Sequence, residues 1–218
     1  LKAVSKTFRL GEVEVQALKK VNLDVKKGEF VVILGPSGSG KTTLLNIIGG
    51  IDSPDSGKVI VERKDISDAG ESDLSAYRRE YVGWIFQFFN LIPSLTAVEN
   101  VALALDMADD RQDMMERSMD ELDRVGLSER YHSFPSQLSG GEQQRTAIAR
   151  ALVKKPLVVL ADEPAGNLDR RTGKKIARMM KEISEEGDMT FIVVSHDPSI
   201  SDIATRVINI MDGTIQRE

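Results

Sequence analysis

The sequence contains no cysteine, and aromatic residues make up only 5% of its 218 residues. Without cysteine the chain forms no disulfide bonds and no thiolate metal sites, and a reducing compartment such as the cytoplasm is permitted. No stretch approaches the roughly 18 consecutive apolar residues that a membrane-spanning helix needs. The first residues also lack the charged and then apolar segments of a secretion signal. We therefore expect a cytoplasmic protein that reaches a membrane only through a partner.

An excess of basic residues is also missing. The 29 Lys and Arg residues face 34 Asp and Glu residues, which leaves a formal net charge of -5. Proteins that bind along nucleic acid usually present a basic face to the phosphate backbone, so this charge argues against a nucleic-acid partner. An anionic nucleotide must instead find a local positive site. The 41% hydrophobic and 29% charged residues are ordinary for a globular α/β protein with a single core.

Apolar residues follow two strand patterns in the first part of the chain. Residues 30–34 are apolar at every position, which predicts a strand buried on both faces, and residues 44–48 then have helical spacing. Between residues 13 and 25, apolar and polar residues alternate, which predicts half-buried antiparallel strands near a sheet edge. The alternating apolar residues are Val13, Val15, Ala17, Val21, Leu23 and Val25.

The second half of the chain continues the strand and helix alternation. Residues 157–161 and 191–194 are two more apolar runs and predict two further buried strands. An alternation of strands and helices predicts a parallel sheet. One predicted helix has an apolar face that consists of Ala147, Ile148, Ala151 and Leu152.

Residues 96–134 have helical spacing throughout and predict an inserted helical subdomain. Methionine fills irregular cores and also serves on binding surfaces. For Met107, Met114, Met115 and Met119 we expect core packing. The predicted apolar stripe of this subdomain consists of Met114, Met115, Met119, Leu122 and Val125.

A glycine-rich loop joins the strand at residues 30–34 to the helix that follows. Its first eight residues match the pattern G-x-x-x-x-G-K-[ST] in full. Glycine permits positive φ, so successive N–H groups can converge on phosphate oxygens at the start of the helix. Lys41 supplies a charge for the terminal phosphates, and Thr42 supplies a hydroxyl for Mg²⁺. MgATP or MgGTP is the implied ligand, and a merely connecting turn is the less favoured alternative. The loop consists of Gly35, Pro36, Ser37, Gly38, Ser39, Gly40, Lys41, Thr42 and Thr43.

Two adjacent carboxylates, Asp162 and Glu163, follow the apolar run at residues 157–161. Ligands of open α/β sheets bind at the carboxyl ends of the strands. We expect Asp162 to organise Mg²⁺ and its water shell, and Glu163 to orient or deprotonate the water that attacks the γ-phosphorus. Without the phosphate loop, an ordinary solvated strand end would be the better interpretation.

Residues 138–145 read Leu-Ser-Gly-Gly-Glu-Gln-Gln-Arg, and here the chain resembles the ABC ATPase family through its signature motif. Gln87, Asn167–Asp169 and His196 match further motifs in the family order. The resemblance implies an α/β fold with a P-loop NTPase (RecA-like) core, a mainly parallel sheet, an N-terminal antiparallel β subdomain and an inserted α-helical subdomain. It also implies one ABC ATPase domain over residues 1–218.

Within that domain, the resemblance assigns residues 1–86 and 156–218 to the core with the antiparallel β subdomain. It assigns about residues 87–155 to the helical subdomain with the signature motif. It further implies a head-to-tail homodimer in which the signature of one subunit covers the ATP of the other, with Asp169 at the dimer contact. The signature residues are Ser139, Gly140, Gly141 and Glu142, the last of which stands where many members have Gln.

The remaining site roles also come from the resemblance. Gln87 would reach Mg²⁺, which Thr42 and Asp162 also bind, and the attacking water. His196 would contact the γ-phosphate. Phe8 stands where the family commonly has an aromatic residue that stacks on adenine, although a core Phe is nearly as well favoured.

Several segments look like the lipoprotein-releasing and macrolide-efflux branch of the family, among them residues 49–52 and 87–93. Members of this branch pair with an integral-membrane permease, so the resemblance implies a peripheral ATPase at the cytoplasmic face of the cell membrane. A groove between residues 97–125 and the segment after Gln87 would receive a short cytoplasmic helix of the permease. The alternative is a mechanotransmission ATPase that regulates a cell-wall enzyme through a membrane partner.

Overall fold

The computed structural model describes residues 1–11, 13–187 and 189–216. None of the helices in these ranges is long and apolar enough to cross a membrane. In chain order the strands are β1 (Lys2–Leu10), β2 (Val13–Val21), β3 (Phe30–Leu34), β4 (Ser56–Lys58), β5 (Ile60–Val61), β6 (Lys64–Asp65), β7 (Val82–Ile85), β8 (Val158–Asp162), β9 (Thr190–Ser195), β10 (Arg206–Met211) and β11 (Thr214–Gln216). The helices are α1 (Lys41–Ile48), α2 (Glu71–Tyr81), α3 (Ala97–Met107), α4 (Met114–Arg124), α5 (Gly140–Leu152) and α6 (Arg170–Gly187).

The central sheet has six strands in the order β11-β10-β3-β9-β8-β7. Neighbouring strands from β10 to β7 pair in parallel, as predicted, while β11 pairs antiparallel with β10. The register places Leu34 beside Ser195 and Asp162 beside Val194. The carboxyl ends of β3, β8 and β9 therefore meet at one edge of the sheet.

Strand β3 is buried on both faces, as its unbroken apolar run predicts. Phe30 and Val32 contribute to a core on the side of α5 and α6, and Phe30 stacks on Phe191 with 5.4 Å between the ring centres. Val31 and Ile33 contribute to a second core on the side of α1 and α2. Helix layers on both faces thus hold the strand that leads into the glycine-rich loop.

The first strands form a separate antiparallel sheet in the order β2-β1-β4. The prediction of half-buried strands between residues 13 and 25 is wrong at its start, because the apolar residues Val13 and Val15 are 61% and 44% exposed. The register between β1 and β2 shifts on both sides of Lys6. A shift of one residue moves side chains to the other face of a sheet. The residues that reach the core here are Leu18, Val21 and Leu23.

The segment between β7 and β8 is mostly helical, but the helix is interrupted between Met107 and Met114. Helix α3 ends at Met107 and α4 begins at Met114. Between them, Asp109 and Asp113 have left-handed backbone conformations with φ of +57° and +47°, which an α-helix does not accommodate. After α4 the chain continues through short 3-10 turns before α5 begins. The insertion is helical, but it is built from three separate helices.

The methionine prediction is right for two residues and wrong for two. Met114 and Met119 pack against the core. Met107 and Met115 are 63% and 41% exposed. Both exposed residues lie at helix ends beside the break between α3 and α4, where their side chains face solvent. Their exposure leaves the binding-surface alternative open for Met107.

Candidate nucleotide-binding and catalytic site

A cavity of about 850 Å³ opens at the carboxyl edge of β3, β8 and β9. It gathers predicted site residues from several distant segments of the chain. These residues are Ser37, Gly38, Gly40, Lys41, Thr42, Thr43, Gln87, Asp162, Glu163 and His196. The cavity is also lined by residues that the sequence did not point to, namely Val15, Gln16, Ala17, Lys19, Asp212 and Gly213.

The glycines of the loop are required by backbone geometry. Gly40 has φ +103°, and a Cβ atom on it would lie 2.4 Å from the carbonyl oxygen of Ala17. A Cβ atom on Gly35 would lie 2.3 Å from the carbonyl oxygen of Ile210. Gly40 also begins α1, which has neither a side-chain cap nor an acidic residue in its first turn. The positive end of this helix dipole is therefore available to an anion.

Lys41 is 7% exposed and lies in the first turn of α1. Its ammonium group donates hydrogen bonds to the carbonyl oxygens of Gly35 at 2.8 Å and Pro36 at 3.0 Å. These contacts fold the side chain back over the loop, so the charge lies where the loop N–H groups converge. The arrangement suits a phosphate group, which accepts charge-assisted hydrogen bonds from lysine.

Thr42 and Asp162 bring two kinds of oxygen atom together. The hydroxyl of Thr42 donates to the two carboxylate oxygens of Asp162 at 3.1 and 3.4 Å. Burial raises the pKa of Asp162, an effect that the Thr42 hydrogen bond partly opposes. A half-buried carboxylate beside a hydroxyl supplies the oxygen ligands that Mg²⁺ prefers. The pair therefore fits the predicted magnesium site.

Glu163 follows β8 in a left-handed conformation with φ +48°. Its side chain contacts His196, which follows β9: Oε1 lies 2.9 Å from Nδ1 of the ring, and Oε2 accepts from the backbone N–H at 3.3 Å. The Glu163 side chain is 14% exposed and the His196 side chain 65% exposed. The two residues that were predicted to act on the γ-phosphate and the attacking water are thus direct neighbours.

Two residues that follow β8, Gly166 and Asn167, contact Gln87. Its carbonyl oxygen accepts a hydrogen bond from Nδ2 of Asn167 at 2.7 Å. Its side-chain nitrogen lies so close to Gly166 that a Cβ atom there would be 3.1 Å away. The segment after β8 therefore positions Gln87 through both its backbone and its side chain.

The signature residues lie at the start of α5, outside the described lining of this cavity. Ser139 caps the helix and forms a reciprocal capping box with Glu142. The Glu142 carboxylate accepts from the Ser139 N–H at 2.8 Å, from the Ser139 hydroxyl at 2.7 Å and from Nε of Arg130 at 3.1 Å. The hydrogen bonds from Ser139, followed by the Arg130 contact, lower the pKa of Glu142 to about 2.

Two further predicted residues are placed as follows. The Asp169 carboxylate accepts from the N–H groups of Arg171 and Thr172, both at 3.0 Å, at the start of α6. Phe8 lies on β1 opposite Val15 and is 37% exposed. Val15 lines the cavity, whereas Phe8 is not among the described lining residues.

The turn between β10 and β11 is a part of the site that sequence reasoning missed. The N–H of Gly213 donates to the carbonyl oxygen of Ser39 at 3.0 Å, and the carbonyl oxygen of Gly213 accepts from the N–H of Lys19 at 2.8 Å. Asp212–Gly213 joins two short strands, and an Asp-Gly pair in that position is a strong hairpin signal. The sequence therefore contained a signal for this hairpin. It contained no signal for the contact between the hairpin and the glycine-rich loop.

Comparison with known families decides the identity. The family model described as ABC transporter matches residues 18–166, which is more than half of the chain. The chain belongs to the ABC transporter family. It is an ATP-binding domain of that family, as the signature motif predicted.

Relatives of this ABC ATP-binding domain are similar over its whole length. It is 47% identical over 223 residues to MJ0796 of Methanocaldococcus jannaschii, an uncharacterized ABC transporter ATP-binding protein, and the match covers 100% of this chain and 95% of the relative. It is 45% identical to the macrolide export ATP-binding/permease protein MacB of Syntrophobacter fumaroxidans, with 100% of this chain but 31% of MacB covered. The macrolide-export relative agrees with the predicted branch.

Solved structures confirm the predicted fold of the ABC domain. A dimeric MJ0796 structure in a post-hydrolysis state, bound to ADP and phosphate, aligns with a TM-score of 0.90 at 43% identity. The alignment covers 99% of this chain and 95% of the other. A second dimeric structure of MJ0796 aligns with the same TM-score at 44% identity.

Proposed function

We propose that the chain is the ATP-hydrolysing subunit of an ABC transporter and works as a head-to-tail homodimer around two MgATP molecules. The observation that carries this proposal is that Thr42–Asp162 and Glu163–His196 face one cavity beside the glycine-rich loop. The dimeric relative bound to ADP and phosphate supports it. The reaction is the hydrolysis of ATP to ADP and phosphate.

The predicted site residues of the cavity divide the work of this reaction among them. Lys41 and the loop N–H groups hold the phosphates, and His196 orients Glu163 and donates toward the γ-phosphate. Glu163 accepts a proton from the attacking water, since a carboxylate within reach of a water can act as general base. Thr42, Asp162 and Gln87 would hold Mg²⁺, which neutralises charge on the phosphates when bound.

The signature residues need a second subunit in this scheme. Residues 139–142 lie outside the lining of their own chain's cavity, so they are free to cover the ATP of a partner. Ser139, at the start of α5, places a hydroxyl beside the positive end of that helix, which favours an anion. Asp169, beside the cavity, is proposed to lie at the same dimer contact.

The variant Glu163→Gln tests the proposal directly. It removes the base and keeps the side-chain shape, so it should bind MgATP, fail to hydrolyse it and remain dimeric. Light scattering should give a doubled mass with MgATP and the monomer mass without it. Glu116→Gln makes the same change on an exposed residue of α4 and should hydrolyse ATP normally. Normal turnover by Glu163→Gln would refute the role of Glu163, and a monomer with bound ATP would refute the ATP-dependent homodimer.

A groove of about 470 Å³ is proposed to receive a short cytoplasmic helix of a membrane permease. Its apolar lining includes Trp84, Phe86, Leu103 and Met107. Trp84 and Phe86 stack with 5.4 Å between the ring centres. An apolar surface of this kind suits a helix that supplies an apolar face.

The charged residues of the groove indicate which charge the incoming helix carries. Every charged residue that lines it is basic, namely Arg78, Arg79, Arg150 and Lys154. We therefore propose that the incoming helix carries a carboxylate. The permease would be of the export or lipoprotein-release type, which places the ATPase peripherally at the cytoplasmic face of the membrane.

Because the chain has no cysteine, a single introduced cysteine reports on this contact without background. Met107→Cys lies in the groove and should form a cross-link with the permease subunit co-expressed with the chain. Met211→Cys is the matched control, because Met211 is 51% exposed on β10 and outside the groove lining. Equal cross-linking at the two positions would contradict the proposed docking site.

The helical part is proposed to act as a separate subdomain at about residues 87–155, with residues 1–86 and 156–218 as the core. Strands β7 and β8 are neighbours in the sheet, so the insertion leaves and re-enters the core at adjacent points. When MgATP is added, the rates of amide hydrogen exchange should change together across the insertion. Exchange changes that cross both boundaries evenly would contradict this division.

A further inference from the structure

Arg150 connects the helix of the signature motif to the segment that contains Gln87. It lies near the end of α5, whose first residue is Gly140. Its guanidinium group donates from Nη2 to the carbonyl oxygen of Phe89 at 2.6 Å and from Nη1 to that of Asn90 at 2.5 Å. A planar guanidinium holds two acceptors in a fixed geometry. The segment directly after Gln87 is therefore clamped to α5.

The clamped segment has a backbone that depends on outside support. Phe89 and Asn90 both have left-handed conformations, with φ of +57° and +50°. This region is unfavourable for residues other than glycine, and two in succession are uncommon. Loss of the guanidinium would free the segment to adopt a more ordinary conformation, and Gln87 would move with it.

Arg150 also lines the permease groove, beside Trp84 and Phe86. Burial lowers the pKa of its guanidinium. Among the residues that the structure describes, no carboxylate lies within ion-pair distance of it, and its partners are the two carbonyl oxygens.

We propose that Arg150 is a positioning residue for Gln87. Its two hydrogen bonds hold the segment directly after Gln87 against α5 and so keep Gln87 in place at the catalytic cavity. This inference rests on the proposed function, since it assumes that Gln87 acts on Mg²⁺ and the attacking water.

The test compares Arg150→Met with Arg206→Met in the isolated protein. Arg206 begins β10, donates from Nη1 to the carbonyl oxygen of Asp24 at 2.9 Å, and is not among the described lining residues of the catalytic cavity or the groove. ATP hydrolysis is measured against free Mg²⁺ concentration, and binding of a fluorescent ATP analogue is measured in EDTA. Arg150→Met should raise the Mg²⁺ concentration for half-maximal rate roughly tenfold, as expected for losing one metal contact. Binding in EDTA should stay within about twofold, because hydrogen bonds to the phosphate loop are intact.

Arg206→Met should leave both quantities unchanged. If Arg150→Met matches Arg206→Met, the positioning role is overturned. Arg150→Lys serves if the Met variant does not fold: it keeps the charge but loses the two-carbonyl clamp, so it should shift the Mg²⁺ dependence in the same direction, and a wild-type curve would overturn the proposal. Failure of the proposed function is recognised separately, because the wild-type protein would then lack Mg²⁺-dependent hydrolysis altogether.

Discussion

Glu163 binds His196 at two points, with one carboxylate oxygen beside Nδ1 of the ring and the other beside the backbone N–H. The two residues end neighbouring parallel strands, so the sheet itself fixes their separation. Nδ1 is engaged by Glu163, so Nε2 is the ring nitrogen that remains available to a ligand of the cavity that His196 lines. The carboxylate therefore determines which edge of the imidazole meets a nucleotide.

His196→Ala should lower ATP hydrolysis by roughly 10²-fold, the lower end of the range for losing one positioned proton-transfer or hydrogen-bonding group. Nucleotide affinity should change less, because Lys41 and the loop remain. The chain has two histidines, and His132→Ala, on the exposed end of the helical insertion, is the control. Steady-state phosphate release checks the prediction. Equal rates for the two variants would count against His196.

Lys41→Ala should weaken ATP binding by at least about tenfold, since hydrogen bonds to charged groups contribute roughly 1.5–3 kcal/mol. The side chain is the loop's mobile cation, and its removal also takes away the bonds to Gly35 and Pro36. Calorimetric titration with ATP measures the change, with the exposed Lys26→Ala as control. Unchanged affinity in Lys41→Ala would refute the assignment of the loop.

The capping carboxylate of Glu142 should make stability depend on pH. Its pKa is lowered from 4.5 to about 2 in the folded protein, so the folded state binds fewer protons than the unfolded state between these values. The stabilisation is then complete above about pH 4.5 and is lost as pH falls toward about 2. The free energies of unfolding of the wild type and of Glu142→Gln, measured with urea, should converge over that pH range. A difference that stays constant down to pH 3 would contradict the capping role.

Gly213→Ala should destabilise the protein and weaken ATP binding together. Gly213 has φ +75°, and a Cβ atom there would lie 2.7 Å from the carbonyl oxygen of Ala17. The left-handed backbone alone costs about 1–2 kcal/mol for a residue with a Cβ atom. Gly126→Ala is the matched control, since it has φ +72° with no atom within 4 Å. Urea unfolding should show a larger loss in the free energy of unfolding for Gly213→Ala than for Gly126→Ala. Titration with ATP should show weaker binding for Gly213→Ala but not for Gly126→Ala.

Features that a short stretch of sequence determines were predicted well. The run at Phe30–Leu34, the loop after it and α1 carry their structural signals in adjacent residues, because burial, turn geometry and helix initiation act locally there. The Asp162–Glu163 pair was also placed correctly at the end of a strand. Helix α6 was not identified, although Ile176, Met180 and Ile183 have helical spacing and its signal could have been found.

Features that depend on distant contacts were not predictable in the same way. The register shifts around Lys6 come from the pairing of β1 with β2 and reverse the burial expected for Val13. The break between α3 and α4 depends on the left-handed backbone conformation of Asp109. The residue type alone does not predict that conformation. The clamp from Arg150 to Phe89 joins residues that are 61 positions apart, and no local pattern carries that information.

The hydrogen bonds of Gly213 have a consequence for synthesis on the ribosome. Ser39 and Lys19 belong to the first fifth of the chain, yet both are tied to the hairpin of β10 and β11. Strand β10 also pairs with β3 along its length. The glycine-rich loop and β3 therefore cannot complete their backbone contacts on a nascent chain until residues 206–216 have left the exit tunnel.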